Sequence, residues 1–241
     1  MHVEDIDDEE FVIETLDLGE HSVSIRNVPG QQFWDLMYMG VHIWPGARLL
    51  CDYMRSRPEL FAPCSKLCEL GSGTGIAGLV FARLYGRADS TVVVTDSSSH
   101  ALKLMEKNVA LNHLDSVHVN YLRWGEHSQI DKLPCTSYDC ILAADCTFSV
   151  ELVPKFLETV EHLLPSESGR LVMCAVMGGA GAFEATLEQA PSYGLHLVEP
   201  REPPTDPTTT AARSVVLRFE RCEALGAAAS QRGTSAVASG G

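Results

Sequence analysis

The sequence predicts a single α/β domain with an open sheet of seven strands, mostly parallel, and helices on both faces. Strand-like and helix-like segments alternate from residue 66 onward, as they do in the βα units of parallel sheets. Several strand candidates are continuous apolar runs, which is typical of strands buried on both faces. At residues 66–76 a strand, a glycine-rich turn and the start of a helix follow one another, and such a turn is where these sheets bind ligands.

Length and composition fit one domain and exclude some classes of partner. The chain has 241 residues, 45% of them apolar, which is enough for one core. It contains no membrane-length apolar run, and its first ten residues are acidic where a secretory signal would be basic and then apolar. The net charge of −14, without a basic stripe, argues against nucleic acid as a partner. We therefore expect a soluble protein of the cytoplasm or the nucleus, monomeric and with no membrane partner.

Two short strands are expected to form a hairpin ahead of the main sheet, at residues 11–16 and 23–26 on either side of a polar turn. No Lys or Arg occurs between Glu4 and Glu20, so residues 1–32 are interpreted as an acidic segment that includes this hairpin. The acids are either solvated or attract a basic target segment. A helix over residues 45–55 follows, with Pro45 suited to its first turn.

The main domain is expected to span residues 33–222, followed by a disordered tail of small and polar residues at 223–241. Residues 200–207 are too rich in proline for a helix and are expected to form an exposed loop. Because no crossover helix precedes the last strand, that strand is expected to be antiparallel to its neighbours. Strands are predicted at residues 66–70, 91–95, 117–122, 138–143, 170–176, 195–198 and 214–220, and helices at 76–85, 100–112, 151–163 and 183–190.

The most informative segment is residues 67–75, Leu-Cys-Glu-Leu-Gly-Ser-Gly-Thr-Gly. Its alternating glycines let a ligand approach bare backbone while the first N–H groups of the next helix point at it, which indicates a nucleotide-type cofactor. A dinucleotide fingerprint that starts at Gly71 needs glycine at position 76, where the chain has Ile76. With Glu69 two residues before the first glycine, the segment instead resembles the acidic-x-G-x-G-x-G motif of seven-strand S-adenosylmethionine methyltransferases.

Acidic residues follow the second and fourth strands of the predicted sheet. Asp96 lies where a carboxylate meets the ribose hydroxyls of a cofactor, although it could instead cap the next helix, with the serines at 97–99 as rival caps. Asp145 lies beside the glycine motif if the first and fourth strands are neighbours. It could also cap the helix near Glu151 or remain in solvent.

Two tryptophans are ambiguous by position alone. Trp124 follows the third strand and either stacks on a flat base or packs at the rim of the core. Trp44 precedes the first long helix and could close the pocket from its N-terminal side. Cys64 and Cys68 have a spacing that a metal tolerates, but no second pair with His partners accompanies them, so no metal site is predicted.

Together these segments resemble methyltransferase family 16, the seven-strand protein-lysine methyltransferases, over roughly residues 33–220. The resemblance implies a Rossmann-like sheet, S-adenosyl-L-methionine as the methyl donor, and a protein partner that presents a lysine. It implies that Asp145 and Phe148 face this lysine. It also implies a set of cofactor-binding residues: Trp44, Glu69, Gly71, Ser72, Gly73, Asp96, Trp124 and Ala144.

The chain departs from the family pattern at Phe148, where most members have tyrosine. A D-C-x-F version preceded by Arg-Trp is similar to calmodulin-lysine methyltransferases, although an acidic enzyme should not attract an equally acidic target. Two other functions remain open: a small-molecule methyltransferase on the same fold, and an interaction protein that uses the cofactor fold without catalysis.

Overall fold

The computed structural model describes residues 11–29, 36–164, 169–177, 181–201 and 214–221. The strands in these ranges are β1 (Val12–Asp17), β2 (Ser22–Asn27), β3 (Lys66–Leu70), β4 (Thr91–Asp96), β5 (Val117–Tyr121), β6 (Cys140–Ala144), β7 (Arg170–Val176), β8 (Leu195–Arg201) and β9 (Ser214–Arg221). The α-helices are α1 (Pro45–Ser56), α2 (Pro58–Phe61), α3 (Ile76–Tyr85), α4 (Ser99–Leu111), α5 (His127–Ile130), α6 (Val153–Leu163) and α7 (Ala182–Gln189). Turns of 3₁₀-helix lie at Leu36–Val41, Val150–Leu152 and Ala190–Tyr193.

Seven strands form the predicted sheet, in the order β5-β4-β3-β6-β7-β9-β8. The pairs from β5 to β7 are parallel, whereas β9 is antiparallel to both β7 and β8. The expectation of an antiparallel last strand is therefore confirmed. Because β3 and β6 are neighbours, the chain leaves the sheet in opposite directions after them, and ligands bind at such a switch point.

The predicted strands and helices occur, with most ends shifted by one or two residues. Strand β8 differs more, since it continues through Pro200 to Arg201, where a loop was expected. This is possible because β8 lies at the edge of the sheet, where a residue without an N–H costs no ladder hydrogen bond. The helix expected from residue 151 starts with a 3₁₀ turn, and α6 itself begins at Val153 with Pro154 in its first turn.

Some expectations fall on residues that the structure does not describe. Residues 202–207 of the predicted loop and the predicted tail at 223–241 lie outside the described residues. The domain boundaries at 32 and 222 stay a prediction for the same reason.

The sheet is covered on both faces, as its apolar runs predicted. Along β3, Leu67 packs into the core formed with α1 and α3, while Cys68 packs into the core formed with α6 on the opposite face. The hairpin of β1 and β2 contributes Val23 and Ile25, both fully buried, to the first of these cores. In the described residues, no helix is long and apolar enough to cross a bilayer.

Helix α3 packs closely on the sheet at Gly78. A Cβ atom at this position would lie 2.4 Å from Val94 Cγ1 and 2.9 Å from Glu69 Oε2. The glycine therefore sets how near α3 and its N-terminus come to the ends of β3 and β4.

We predict that Gly78→Ala lowers the free energy of unfolding by about 1–3 kcal/mol, because the added methyl overpacks the interface although alanine is the better helix former. Urea denaturation measures this loss. In the double variant with Val94→Ala the loss should be smaller than the sum of the two single losses, since the clash is with that valine. If the losses of the two single variants added strictly, a clash of the new methyl group with Val94 would be contradicted.

Candidate active site

A cavity of about 480 Å³ opens at the carboxyl ends of β3, β4 and β6. Its volume lies within the range of roughly 300–1,000 Å³ that small-molecule sites occupy. The structure brings together in its lining all ten residues that the sequence singled out: Trp44, Glu69, Gly71, Ser72, Gly73, Asp96, Trp124, Ala144, Asp145 and Phe148.

The glycine loop, residues 71–75, is the floor of this cavity. Gly71 and Gly73 have φ angles of +64° and +54°, which side chains rarely adopt. A Cβ at Gly71 would lie 2.7 Å from Cys146 Cβ, and one at Gly73 would lie 3.1 Å from the Gly40 carbonyl oxygen. The loop therefore fits between the end of β6 and the segment before α1 only because it lacks side chains at these positions.

Asp96 fixes the loop from the end of β4. Its Oδ2 accepts a hydrogen bond from Gly73 N at 3.0 Å, and its Oδ1 accepts one from Ser98 N at 2.9 Å. Ser98, not Asp96, is the N-cap of α4, since its side chain accepts from Ala101 N. Burial raises the pKa of Asp96, although these backbone hydrogen bonds oppose the rise.

Ser72 has a different position from the one expected of a ligand-binding hydroxyl. Its Oγ accepts from Thr95 N at 3.0 Å and donates to the Glu69 carbonyl oxygen at 3.1 Å. The hydroxyl thus ties β3 to β4, although Ser72 also lines the cavity.

Glu69 is 2% exposed, and its Oε2 accepts from Gly78 N, in the first turn of α3, at 2.8 Å. Burial raises the pKa of Glu69 from 4.5 to about 8, and the hydrogen bond from Gly78 N only partly opposes this. Its carboxyl group holds the start of α3 against the glycine loop.

Both tryptophans pack and line the cavity at once. Trp124 meets Phe156 edge-on at 5.1 Å between ring centroids, and its Cζ2 would be 3.3 Å from a Cβ at Gly71. Trp44 donates from Nε1 to the Met39 carbonyl oxygen at 2.8 Å. These contacts fix the position of each indole without a ligand, and both tryptophans still line the cavity.

Asp145 is held in an unusual backbone conformation at the end of β6, with φ of +50°. Its Oδ2 accepts from Gly46 N at 2.7 Å, so the carboxylate caps α1. The sequence had suggested a cap on the helix near Glu151, which is not what the carboxylate does. Its Oδ1 is buried without a hydrogen-bond partner among the described residues, and burial raises the pKa of Asp145.

Sequence reasoning missed the residues around Trp44 that complete the wall. Gly40 and His42 line the cavity, and Gly46 leaves no room for a side chain, since its Cβ would lie 2.3 Å from Asp145 Oδ1. His42 Nδ1 lies 2.6 Å from the Val28 carbonyl oxygen. The available signal was the pair of glycines on either side of the His-x-Trp sequence, which indicates close packing against another element.

Comparisons with known proteins agree with this architecture. A sequence profile of a family described as lysine methyltransferase matches residues 32–178. Calmodulin-lysine N-methyltransferase of Arabidopsis thaliana is 30% identical over 159 residues, which are 64% of this chain and 51% of that protein. The chain thus spans about half the length of the plant enzyme. Protein N-lysine methyltransferase METTL21A of Danio rerio is 30% identical over 162 residues, 66% of this chain and 71% of that protein.

A solved structure supports the fold alone. The precorrin-6y C5,15-methyltransferase of Geobacter metallireducens superposes with a TM-score of 0.55 at 12% identity, and the match covers 90% of this chain and 97% of that one.

We predict that Glu69→Gln changes how stability depends on pH. The pKa of Glu69 is higher in the folded chain than its ordinary value of 4.5, so its ionisation destabilises the fold as pH rises from about 5 to about 8. Glutamine can accept the same Gly78 hydrogen bond and has no charge to bury. The advantage of the variant in urea unfolding should therefore grow across this pH interval. If the free energies of unfolding of the two proteins changed in parallel with pH, burial would not be raising the pKa of Glu69.

Proposed function

The chain belongs to the lysine methyltransferase family, and on this premise we propose that it is an S-adenosylmethionine-dependent enzyme that methylates a lysine side chain of a protein substrate. One observation carries the proposal. A bare glycine loop, a strand-end carboxylate at Asp96, a fixed indole at Trp124 and a buried, half-satisfied carboxylate at Asp145 all line one cavity. We also propose that the protein is a monomer of the cytoplasm or the nucleus, as expected from its length and composition.

The cofactor side of the cavity lies over the glycine loop. The backbone of Gly71 and Gly73 permits the close approach of a ligand, and each oxygen of Asp96 keeps lone pairs that can accept from ribose hydroxyls. Trp124 offers a flat apolar surface to the adenine base. S-adenosylmethionine supplies an electrophilic methyl group on a sulfonium cation, and Ala144 leaves room beside it at the end of β6.

The substrate side begins at Asp145. A lysine ammonium with a solution pKa of about 10.4 has no lone pair and must lose a proton before it can attack a methyl group. Asp145 lines the cavity, and its carboxylate can accept a hydrogen bond from the amine and orient it. A carboxylate by itself raises the pKa of an ammonium, so Asp145 does not produce the neutral amine; desolvation of the amine in the cavity does, and the proton passes to water.

Phe148 forms the outer wall of this slot. Its side chain is 48% exposed and lines the mouth of the cavity, so an aliphatic lysine stem can cover it. The tyrosine that most members have here would place its hydroxyl at the same rim.

The cavity lining contains cations as well as acids, although the net charge is −14. The cations are Arg123 and Lys155, and neither forms an ion pair with a carboxylate of the described residues. Both side chains can hold acidic residues near the target lysine. An acidic target such as that named for the plant relative is therefore compatible with this site.

The proposal is tested by incubating the purified protein with a cell lysate and S-adenosylmethionine carrying a radioactive methyl group. We expect label in a small number of protein bands and, after hydrolysis, in methyl-lysine, with mass spectrometry identifying the band. Label confined to small molecules would favour the small-molecule enzyme. No binding of the cofactor to the purified protein would overturn the proposal.

We predict that Asp145→Asn lowers the rate of lysine methylation by roughly a hundredfold, because the amine loses its oriented acceptor, while the affinity for S-adenosylhomocysteine is unchanged. Asparagine can still accept from Gly46 N and keep α1 in place. Glu151→Gln removes an exposed acid from the next turn and serves as the control. Full activity in Asp145→Asn, or an equal loss of cofactor affinity, would contradict the role given to Asp145.

We predict that Phe148→Ala lowers kcat/KM for the protein substrate by roughly tenfold through the lost apolar contact, with cofactor affinity unchanged. Phe148→Tyr should keep full activity, because the ring is 48% exposed and solvent at the rim can hydrate an added hydroxyl. Calorimetric titration with S-adenosylhomocysteine separates the two sides of the site. Weakened cofactor binding in Phe148→Ala would move Phe148 to the cofactor side.

A further inference from the structure

The N-terminal hairpin is docked on the domain by two asparagines of α4. Asn112 Oδ1 accepts from Ser24 N at 2.8 Å, and its Nδ2 donates to Ser24 O at 2.6 Å. Asn108 repeats the pattern with Arg26, accepting from its N at 2.7 Å and donating to its O at 3.1 Å. Each side-chain amide thus pairs with a backbone unit of β2 as a neighbouring strand would.

Geometry explains why two asparagines at this spacing fit one strand edge. Residues four apart on a helix are about 6 Å apart along its axis, and residues two apart on a strand are about 6.6 Å apart. Asn108 therefore lies opposite Arg26, and Asn112 lies opposite Ser24. Both are buried, at 0% and 6% exposure.

Asn108 has a further partner that Asn112 lacks. Its Nδ2 also donates to the Thr74 carbonyl oxygen, at 2.9 Å. Thr74 belongs to the glycine loop and lines the cavity. The N–H of the same peptide unit, at Gly75, donates to Ser72 O at 2.8 Å, so this peptide is held at both ends.

The end of the hairpin also supports the opposite wall of the cavity. Val28, directly after β2, donates from N to Val41 O at 3.0 Å, and its carbonyl oxygen lies 2.6 Å from His42 Nδ1. His42 lines the cavity, and Gly40, two residues earlier, packs on Gly73. The hairpin is thus joined to the glycine loop through Asn108, and to the cavity-lining segment with His42 through Val28.

We propose that Asn108 is a positioning residue that couples the docking of the hairpin to the shape of the glycine loop, which makes the hairpin a part of the cofactor site. The inference rests on the proposed function, since the ligand is S-adenosylmethionine or its product. The alternative is that Asn108, like Asn112, anchors the hairpin and does nothing more.

The two asparagines provide a matched pair of variants. Asn108→Ala and Asn112→Ala each remove two hydrogen bonds to β2 and one further bond from Nδ2, which goes to Thr74 O in one case and to Asn108 O in the other. We expect both to lower the melting temperature. Asn108→Ala should weaken the binding of S-adenosylhomocysteine by roughly three- to tenfold, the value of one buried hydrogen bond, and clearly more than Asn112→Ala, which loosens the hairpin but keeps the bond to Thr74 O. Equal effects of the two variants on affinity, or no effect of either, would overturn the inference.

A second measurement does not depend on the folding of the variants. Coupling between two sites is reciprocal, so saturating S-adenosylhomocysteine should slow hydrogen exchange at the Arg26 amide, which donates to Asn108 Oδ1. If the wild-type protein binds the ligand and this amide is unaffected, the inference fails while the proposed function stands. If the wild-type protein does not bind the ligand, both fail.

Discussion

The parallel pairing of β3 with β6 is the constraint on which the site depends. It places the glycine loop directly beside the residues that follow Ala144, although about seventy residues separate them in the chain. Cys146 then packs against Gly71, and Asp145 turns through a left-handed backbone conformation toward α1. The glycine loop, proposed to bind the cofactor, and Asp145, proposed to accept a hydrogen bond from the substrate amine, therefore meet at one edge of the sheet within a single domain.

A common device holds the acids of this edge in place: each accepts a hydrogen bond from a glycine N–H. Because glycine has no Cβ, the carboxylate can approach the backbone closely and recover part of the hydration that burial removes. Burial nevertheless raises the pKa of all three acids, because these hydrogen bonds replace only part of the hydration that each carboxylate loses. The pairs are Glu69 with Gly78, Asp96 with Gly73, and Asp145 with Gly46.

How much the sequence could predict depends on how far apart in the chain the interacting residues lie. Strand and helix alternation and the glycine motif are local patterns, and they predicted the sheet and the floor of the cavity. The contact between Asp145 and Gly46 spans 99 residues and leaves no local pattern, so the sequence offered only the helix near Glu151 as an alternative partner and did not indicate the bond to α1. Pro200 was placed in a loop because residues 200–207 are too rich in proline for a helix; that it can end a strand follows only from the edge position of β8, which is known once the strand order is known.

The N-terminal segment supplies the part of the site that is least tied to the strands of the sheet. The sheet edge has to fit a methyl donor, and its loops are fixed by hydrogen bonds between neighbouring strands. The opposite wall, with His42 and Trp44, is instead held by long-range bonds to Asp145 and to the hairpin. Such a wall can change its side chains without disturbing the strand order. For the proposed enzyme, selection of the methyl acceptor can therefore depend on this wall and on the rim at Phe148, whereas the glycine loop and Asp96 serve the methyl donor.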